Sequence, residues 1–304
     1  MTRRGWILFI AMALIWGIPY LFIKIAVTEL SPASLVLFRT AIGTVLLLPL
    51  AAARKDLAPV LKQWKWILVY TAAEVAAPWL LLSDAEQRIS SSLAGLLLAA
   101  TPSFGAILAW ATGGHDRLDR RRIIGLAIGF VGVGALVGLD IRTNDVGAIG
   151  EALLVALGYA IGATIISRKL STLPSLGVVV ASLAITALVY APIGIAQLPP
   201  SLPAPSVVFA VAVLGVVCTA IAFIVFFALI REVGSARATV ITYLNPAVAL
   251  ALGIAVLGEP VTLGIVTGFV LIVLGSVLAT RRGAAPPTSV PVTEERTRLV
   301  RSSQ

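Results

Sequence analysis

Ten apolar runs, each about as long as a helix must be to cross a hydrocarbon core, follow one another along this chain with only short turns between them. They fall near 6–27, 32–53, 65–83, 89–111, 121–139, 148–167, 174–197, 206–230, 235–257 and 261–280. Within a bilayer each segment must satisfy its own backbone N–H and C=O groups, so runs of this length fold as helices. Short turns make neighbours in sequence antiparallel neighbours in space. The chain is therefore predicted to be an all-α polytopic membrane protein with ten transmembrane helices. Composition agrees, with 59% apolar and 12% charged residues against roughly 45–50% and 25% in soluble domains. Arg3-Arg4 before the first run resembles the start of a secretory leader, but no small-residue cleavage site follows, and the run is read as the first span.

A net charge of +9 would suggest nucleic acid if it were gathered on a soluble domain. Here the basic residues sit in short turns and report topology instead. With a cytoplasmic N-terminus, the basic turns at 3–4, 54–65, 117–122, 168–169, 231–237 and 281–282 all face the cytoplasm, and the other side receives only Arg88 and Arg142. Both termini are thus expected in the cytoplasm. The outer turns are expected to collect the acids Glu29, Asp84, Glu86, Asp140, Asp145, Glu151 and Glu259. Residues 283–304 lack an apolar face and are expected to form a disordered cytoplasmic tail.

The runs also repeat. Residues 89–137 align with 233–279: each copy has a mid-helix proline, Thr101-Pro102 or Asn245-Pro246, then a charged turn and a glycine-studded span. Gly125, Gly129 and Gly132 mark that span in one copy, Gly268 and Gly275 in the other. Trp16-Gly17 pairs with Tyr159-Ala160 at the same offset. Halves with an odd number of spans insert in opposite orientations, so two inverted five-helix repeats are expected, 1–142 and 143–282, the architecture of many secondary transporters. The four-residue glycine spacings favour close helix packing within the scaffold, or a homodimer seam if the chain is not a monomer.

Ionisable groups inside a span are costly and point to function. Glu74 in the third run and Arg39 in the second lie at similar expected depths, and a pair between them would lower the cost of burying each. That pair is either structural or a substrate site, with Glu74 exchanging a proton or meeting a cationic group and Arg39 holding an anionic one. Proline removes an N–H and frees the carbonyl four residues back. Pro19, Pro78, Pro102 and Pro246 are therefore candidate hinges, and Pro78 places the freed carbonyl at Glu74 itself. Trp16, Tyr20 and Lys24 recur every four residues as one stripe. It either lines a cavity or faces the interface, with Lys24 snorkelling. Tyr159, Tyr243 and Asn245 are candidates to complete the cavity lining.

No phosphate loop, glycine fingerprint or paired cysteines mark an enzyme or a cofactor site, and Cys218 reads as a buried hydrophobe. The lone His115 lies in a turn, so no histidine base is available at depth. Transport would draw on a gradient such as that of protons. The stretches IWGIPYLFIK from Ile15, SPASLVLFRT from Ser31, SSSLAGLLLAATPSF from Ser90 and GSARATVITYLNPAVALALGIAVLGEPVTLGIVTGFVLIVLGSVLA from Gly234 resemble the ten-helix EamA type of the drug/metabolite transporter superfamily, over residues 5–282. The resemblance implies inverted halves around a central cavity, and export or exchange of amino acids and similar small polar metabolites across a bacterial cytoplasmic membrane. By position it matches Arg39, Pro102, Pro246 and Glu259 to family residues. His115 stands where the family often has glutamate, and Glu74 has no general family counterpart. A broad cationic-drug efflux pump and a non-transporting scaffold or lipid-handling protein remain the alternatives.

Overall fold

The computed structural model describes residues 1–112, 120–138, 146–234 and 238–280, and every regular element among them is helical. The helices are α1 (Arg3–Ala26), α2 (Pro32–Ala53), α3 (Trp64–Arg88), α4 (Ser91–Ala111), α5 (Arg120–Gly138), α6 (Val146–Leu170), α7 (Ser175–Ala196), α8 (Pro205–Val233), α9 (Val240–Leu257) and α10 (Leu263–Thr280), with a short helix Leu57–Leu61 before α3. Eight are long and apolar enough to cross a membrane. The apolar part of α10, Leu263–Ala279, is shorter, and α5 opens on Arg120, Arg121 and Arg122. Outside the described residues lie the turn at His115 and Arg117, the boundary at 142–143 with Asp140, Arg142 and Asp145, then Arg237, Arg281, Arg282 and the tail 283–304.

Helix α3 differs from the sequence expectation at its end. It runs to Arg88 instead of stopping near 83, because Ser83 Oγ donates to the Trp79 carbonyl at 2.7 Å and Arg88 pairs with Asp84 one turn back. Glu86 is consequently inside a helix and not in an outer turn.

The prolines restart helices. Pro19, Pro78, Pro102 and Pro246 each occupy the first or second position of a new helical segment, where a missing N–H costs nothing. One of the freed carbonyls is recaptured by a side chain, and one lies in a widened turn. The carbonyl of Leu98 accepts from Thr101 Oγ1 at 2.8 Å, and the chain before Pro78 widens into a π-helical turn, Ala72–Ala76. A second π-helical turn, Val216–Ile221, occupies the matching place in α8 without any proline. Pro49 and Pro192 sit inside α2 and α7, again in matching places.

Packing follows a simple exchange rule. Three pairings, α5 with α10, α2 with α7 and α4 with α9, each join a helix to the one five places on. The pairing of α3 with α6 becomes that of α8 with α1 when the first five helices are exchanged with the last five. Contacts of α4 with α6 and α9 with α1 exchange in the same way. Glycines set the closest of these seams. A Cβ at Gly275 would lie 2.3 Å from the Gly129 nitrogen, and one at Gly125 2.5 Å from the Ala279 nitrogen. Gly125, Gly129, Gly132, Gly268 and Gly275 are therefore used within the chain, whereas Gly134 has open space beside it.

Candidate functional site

The two ends of the bundle are bound differently. At the end holding the N-terminus, Thr2 Oγ1 donates to Glu232 at 2.6 Å, and Arg4 approaches the same carboxylate at 4.0 Å. At the distal end three contacts join elements of the first and second halves. Arg88 pairs with Glu151 at 2.6 Å, the Ala204 N–H donates to Glu29 at 2.9 Å, and Glu259 accepts from the N–H groups of Ser91 and Ser92 at 2.7 and 2.9 Å. Glu259 is aimed by Gly258, whose φ of +66° ends α9 in the left-handed conformation that suits glycine. Its carboxylate caps the free N–H groups and positive end of α4. The position matched to the family by resemblance is thus a helix cap.

Between these ends, five helices gather polar side chains in the interior. Arg39 of α2 is 7% exposed, and its Nε donates to Thr219 Oγ1 in the π-helical turn of α8 at 3.1 Å. Its guanidinium stacks on the Trp79 ring of α3 at 3.7 Å from the centroid. Tyr20 of α1 and Tyr159 of α6 lie within electrostatic reach of it. Tyr20 also packs on Gly95, where a Cβ would come within 3.6 Å of its ring. Cys218, buried at 1% exposure, borders the same arginine. Among the described residues Arg39 forms no ion pair with a carboxylate, Glu86 lying only within electrostatic reach of it.

Glu74 lies in the π-helical turn of α3, with Tyr70 and Tyr159 in electrostatic reach. Its side chain fills the space left by Gly162 of α6, where a Cβ would fall 2.8 Å from that of Glu74. One of its oxygens, Oε2, is buried without a hydrogen-bond partner. Two further hydroxyls are in the same state, Thr71 one turn back on α3 and, on α7, Ser182, the repeat mate of Arg39. The expected pair between Arg39 and Glu74 does not form. With α3 running on to Arg88, the level of Arg39 is that of Trp79, and the five residues from Glu74 to Trp79 rise about 7.5 Å.

The stripe on α1 faces inward, but its members reach different neighbours. Trp16 packs on Phe226 and Phe223 of α8, with centroids 4.6 and 6.2 Å away. Lys24 does not snorkel. Its Nζ donates to the carbonyls of Glu86 and Ile89 at 2.5 and 2.8 Å, capping the negative end of α3. Tyr243 and Asn245 belong elsewhere: Tyr243 donates to the Ser276 carbonyl of α10 at 3.3 Å. With its amide nitrogen turned toward them, Asn245 donates to the carbonyls of Ile241 and Ala13 at 3.0 and 3.3 Å. The structure therefore brings together Tyr20, Arg39, Tyr159 and Glu74, and leaves Trp16, Tyr243 and Asn245 to one side. Trp79, Thr219 and Glu86 were not singled out from sequence. The legible signal was the stripe Val75, Trp79, Leu82 and Glu86 at helical spacing, all of it buried.

Comparison with known proteins agrees with this architecture. The EamA-like transporter family matches residues 3–138 and again residues 148–281. An uncharacterized transporter of Archaeoglobus fulgidus is 25% identical over 92% of this chain and 99% of its own. The uncharacterized inner membrane transporter YedA of Escherichia coli K12 is 28% identical over 94% of each chain. A protein of known crystal structure superposes with a TM-score of 0.64 at 22% identity, over 92% of this chain and 98% of that one, a likeness of fold. The chain belongs to the EamA-like transporter family and is a multi-pass membrane protein.

Proposed function

We propose that this transporter has ten spans in two inverted five-helix halves, with both termini in the cytoplasm, and exports small zwitterionic metabolites such as amino acids across the cell membrane by alternating access. The observation that carries the substrate class is the separation of Arg39 from Glu74. A guanidinium that forms no ion pair with a carboxylate and a carboxylate with a buried, unpartnered oxygen face the same interior, about 7.5 Å apart along α3. Unpaired polar groups of this kind are costly in a protein interior and are offset when a ligand supplies both partners. An amino acid does so, its carboxylate on Arg39 and its ammonium on Glu74.

Aromatic rings complete the fit. Trp79 backs the guanidinium, Tyr159 lies within electrostatic reach of both charges, and Tyr20 lies within reach of Arg39. Tyr159 is at once a lining residue and a neighbour of both charged groups. A proton and a substrate ammonium compete for Glu74, which couples outward substrate movement to inward proton movement without further machinery. Support for inversion comes from the twofold family match and from the exchange rule in the packing.

Counterflow in proteoliposomes tests this reading. Labelled amino acids should exchange, Glu74→Gln should abolish the response to a pH gradient, and molecules carrying only a cation or only a carboxylate should exchange poorly. Efficient exchange of simple cations, insensitive to Arg39, would replace the zwitterion by the cationic-drug reading. Unaltered pH-driven flux in Glu74→Gln would remove the proton from Glu74.

A further inference from the structure

A second carboxyl, that of Glu86, takes no part in the substrate contacts. It stands beyond Glu74 on the same helix, about 18 Å further along the rise, at the distal end of the bundle. The side chain is 0% exposed, and neither carboxyl oxygen has a hydrogen-bond partner. Facing it are Lys24 and Tyr20 from α1, Arg39 from α2 and Glu259 from the turn after α9. On α6 the carboxylate of Glu151 is held by Arg88, and α4 offers Ser91 and Ser92, the former with a buried, unpartnered hydroxyl.

The position of Lys24 is the informative detail. Its ammonium donates to the backbone carbonyl of Glu86 and to that of Ile89, and not to the adjacent carboxyl. An ammonium has three N–H donors, and a hydrogen bond to a charged acceptor is roughly twice as strong as one to a neutral acceptor. An ammonium beside an ionised carboxylate would therefore take the carboxylate. Two neutral carbonyls are the partners left to it when the carboxyl already carries a proton.

We propose that Glu86 is a proton-binding site that latches the distal gate. With the proton bound, the carboxyl stays buried and Lys24 ties α1 to the end of α3. When the proton leaves for distal water, the carboxylate draws the ammonium off the carbonyls of Glu86 and Ile89. Two buried hydrogen bonds to the helix end are exchanged for an ion pair between the same two helices that draws in water, and because a hydrated ion pair holds them only weakly, that end is free to part. Reprotonation reverses the exchange. The gating consequence rests on the transport reading, whereas the proton site itself does not.

Infrared difference spectra of the purified full chain, with glutamate carboxyls labelled by carbon-13, separate the two. A protonated-glutamate band is expected near neutral pH and should disappear on alkalinisation. It should be lost in Glu86→Gln and kept in Glu74→Gln. The same band persisting in Glu86→Gln overturns the proposal, as does its absence from the wild type. Should Glu86→Gln fail to fold, Glu86→Asp decides: the titrating band must lose its isotope shift, and a band that retains it overturns the assignment. A protein with the Glu86 band that moves no solute refutes the transport reading alone, and zwitterion flux without the band refutes the proton site alone.

Discussion

At the scale of single residues, the site depends on what kind of cation position 39 carries. Arg39 uses a planar group twice, flat on Trp79 and edge-on to Thr219. Lysine would keep the charge but lose both geometries. A desolvated cation–π contact is worth about 2 kcal/mol, and about 1.4 kcal/mol is tenfold in affinity. Arg39→Lys should raise the KM for a zwitterionic substrate roughly tenfold or more, read from concentration-dependent counterflow, while the folded protein survives. An unchanged KM would place the substrate carboxylate elsewhere. Arg39 and Glu74 were legible in the sequence because an ionisable residue in an apolar run declares itself. Their partners were not: Thr219 and Trp79 are ordinary residues in such runs, and only the packing of α2 against α3 and α8 gives them a role.

At the scale of elements, caps and seams hold the helices in place. Removing the side chain in Glu259→Ala would leave two N–H groups at the start of α4 without their partner. Each orphaned group costs about 1–3 kcal/mol. The variant should unfold at a lower temperature in detergent, with Glu259→Gln intermediate because an amide oxygen still accepts. If Glu259→Ala melts as the wild type does, water already serves that helix end and the cap is dispensable. Gly275→Val attacks a seam instead. Its branched side chain would meet the backbone of Gly125 and Gly129, which has no rotamer with which to retreat. Overpacking of well-packed sites costs about 1–3 kcal/mol, and a clash with backbone lies at the upper end. Most helix ends were legible, because apolar runs stop where charges begin. The end of α3 was misread for the same reason, since Asp84, Glu86 and Arg88 continue a helix under charge. The π-helical turn in α8 left no sequence mark, as no proline or polar run demands it.

At the scale of the whole molecule, the scaffold obeys an exchange symmetry that the polar groups break. Pro49 matches Pro192, Pro102 matches Pro246, and two of the three π-helical turns among the described residues, Ala72–Ala76 and Val216–Ile221, correspond. Yet Arg39 faces Ser182 across that symmetry, and Glu74 has Cys218 and Thr219 as its counterparts. Under an exact exchange, the two ends of the bundle would bind equally well and neither conformation would be preferred. Among the described residues the two ends are tied by different contacts, the end holding the N-terminus by Thr2 and Arg4 with Glu232 and by Arg168 with the Thr112 carbonyl. The distal end is tied by Arg88 with Glu151, by Glu29 with Ala204, by Glu259 with α4 and by Lys24 with α3. A carrier working by alternating access must break these ties once in every cycle. Replacing Arg88 and Glu151 by cysteines in a Cys218→Ala background, then bridging them with a bifunctional maleimide, should hold the distal end closed. Flux should fall to the level of empty liposomes, while each single cysteine treated alike keeps its flux. If the bridged protein transports normally, the distal end does not open along this seam. The solute would then have to leave between helices that the exchange symmetry keeps together, such as α2 with α7.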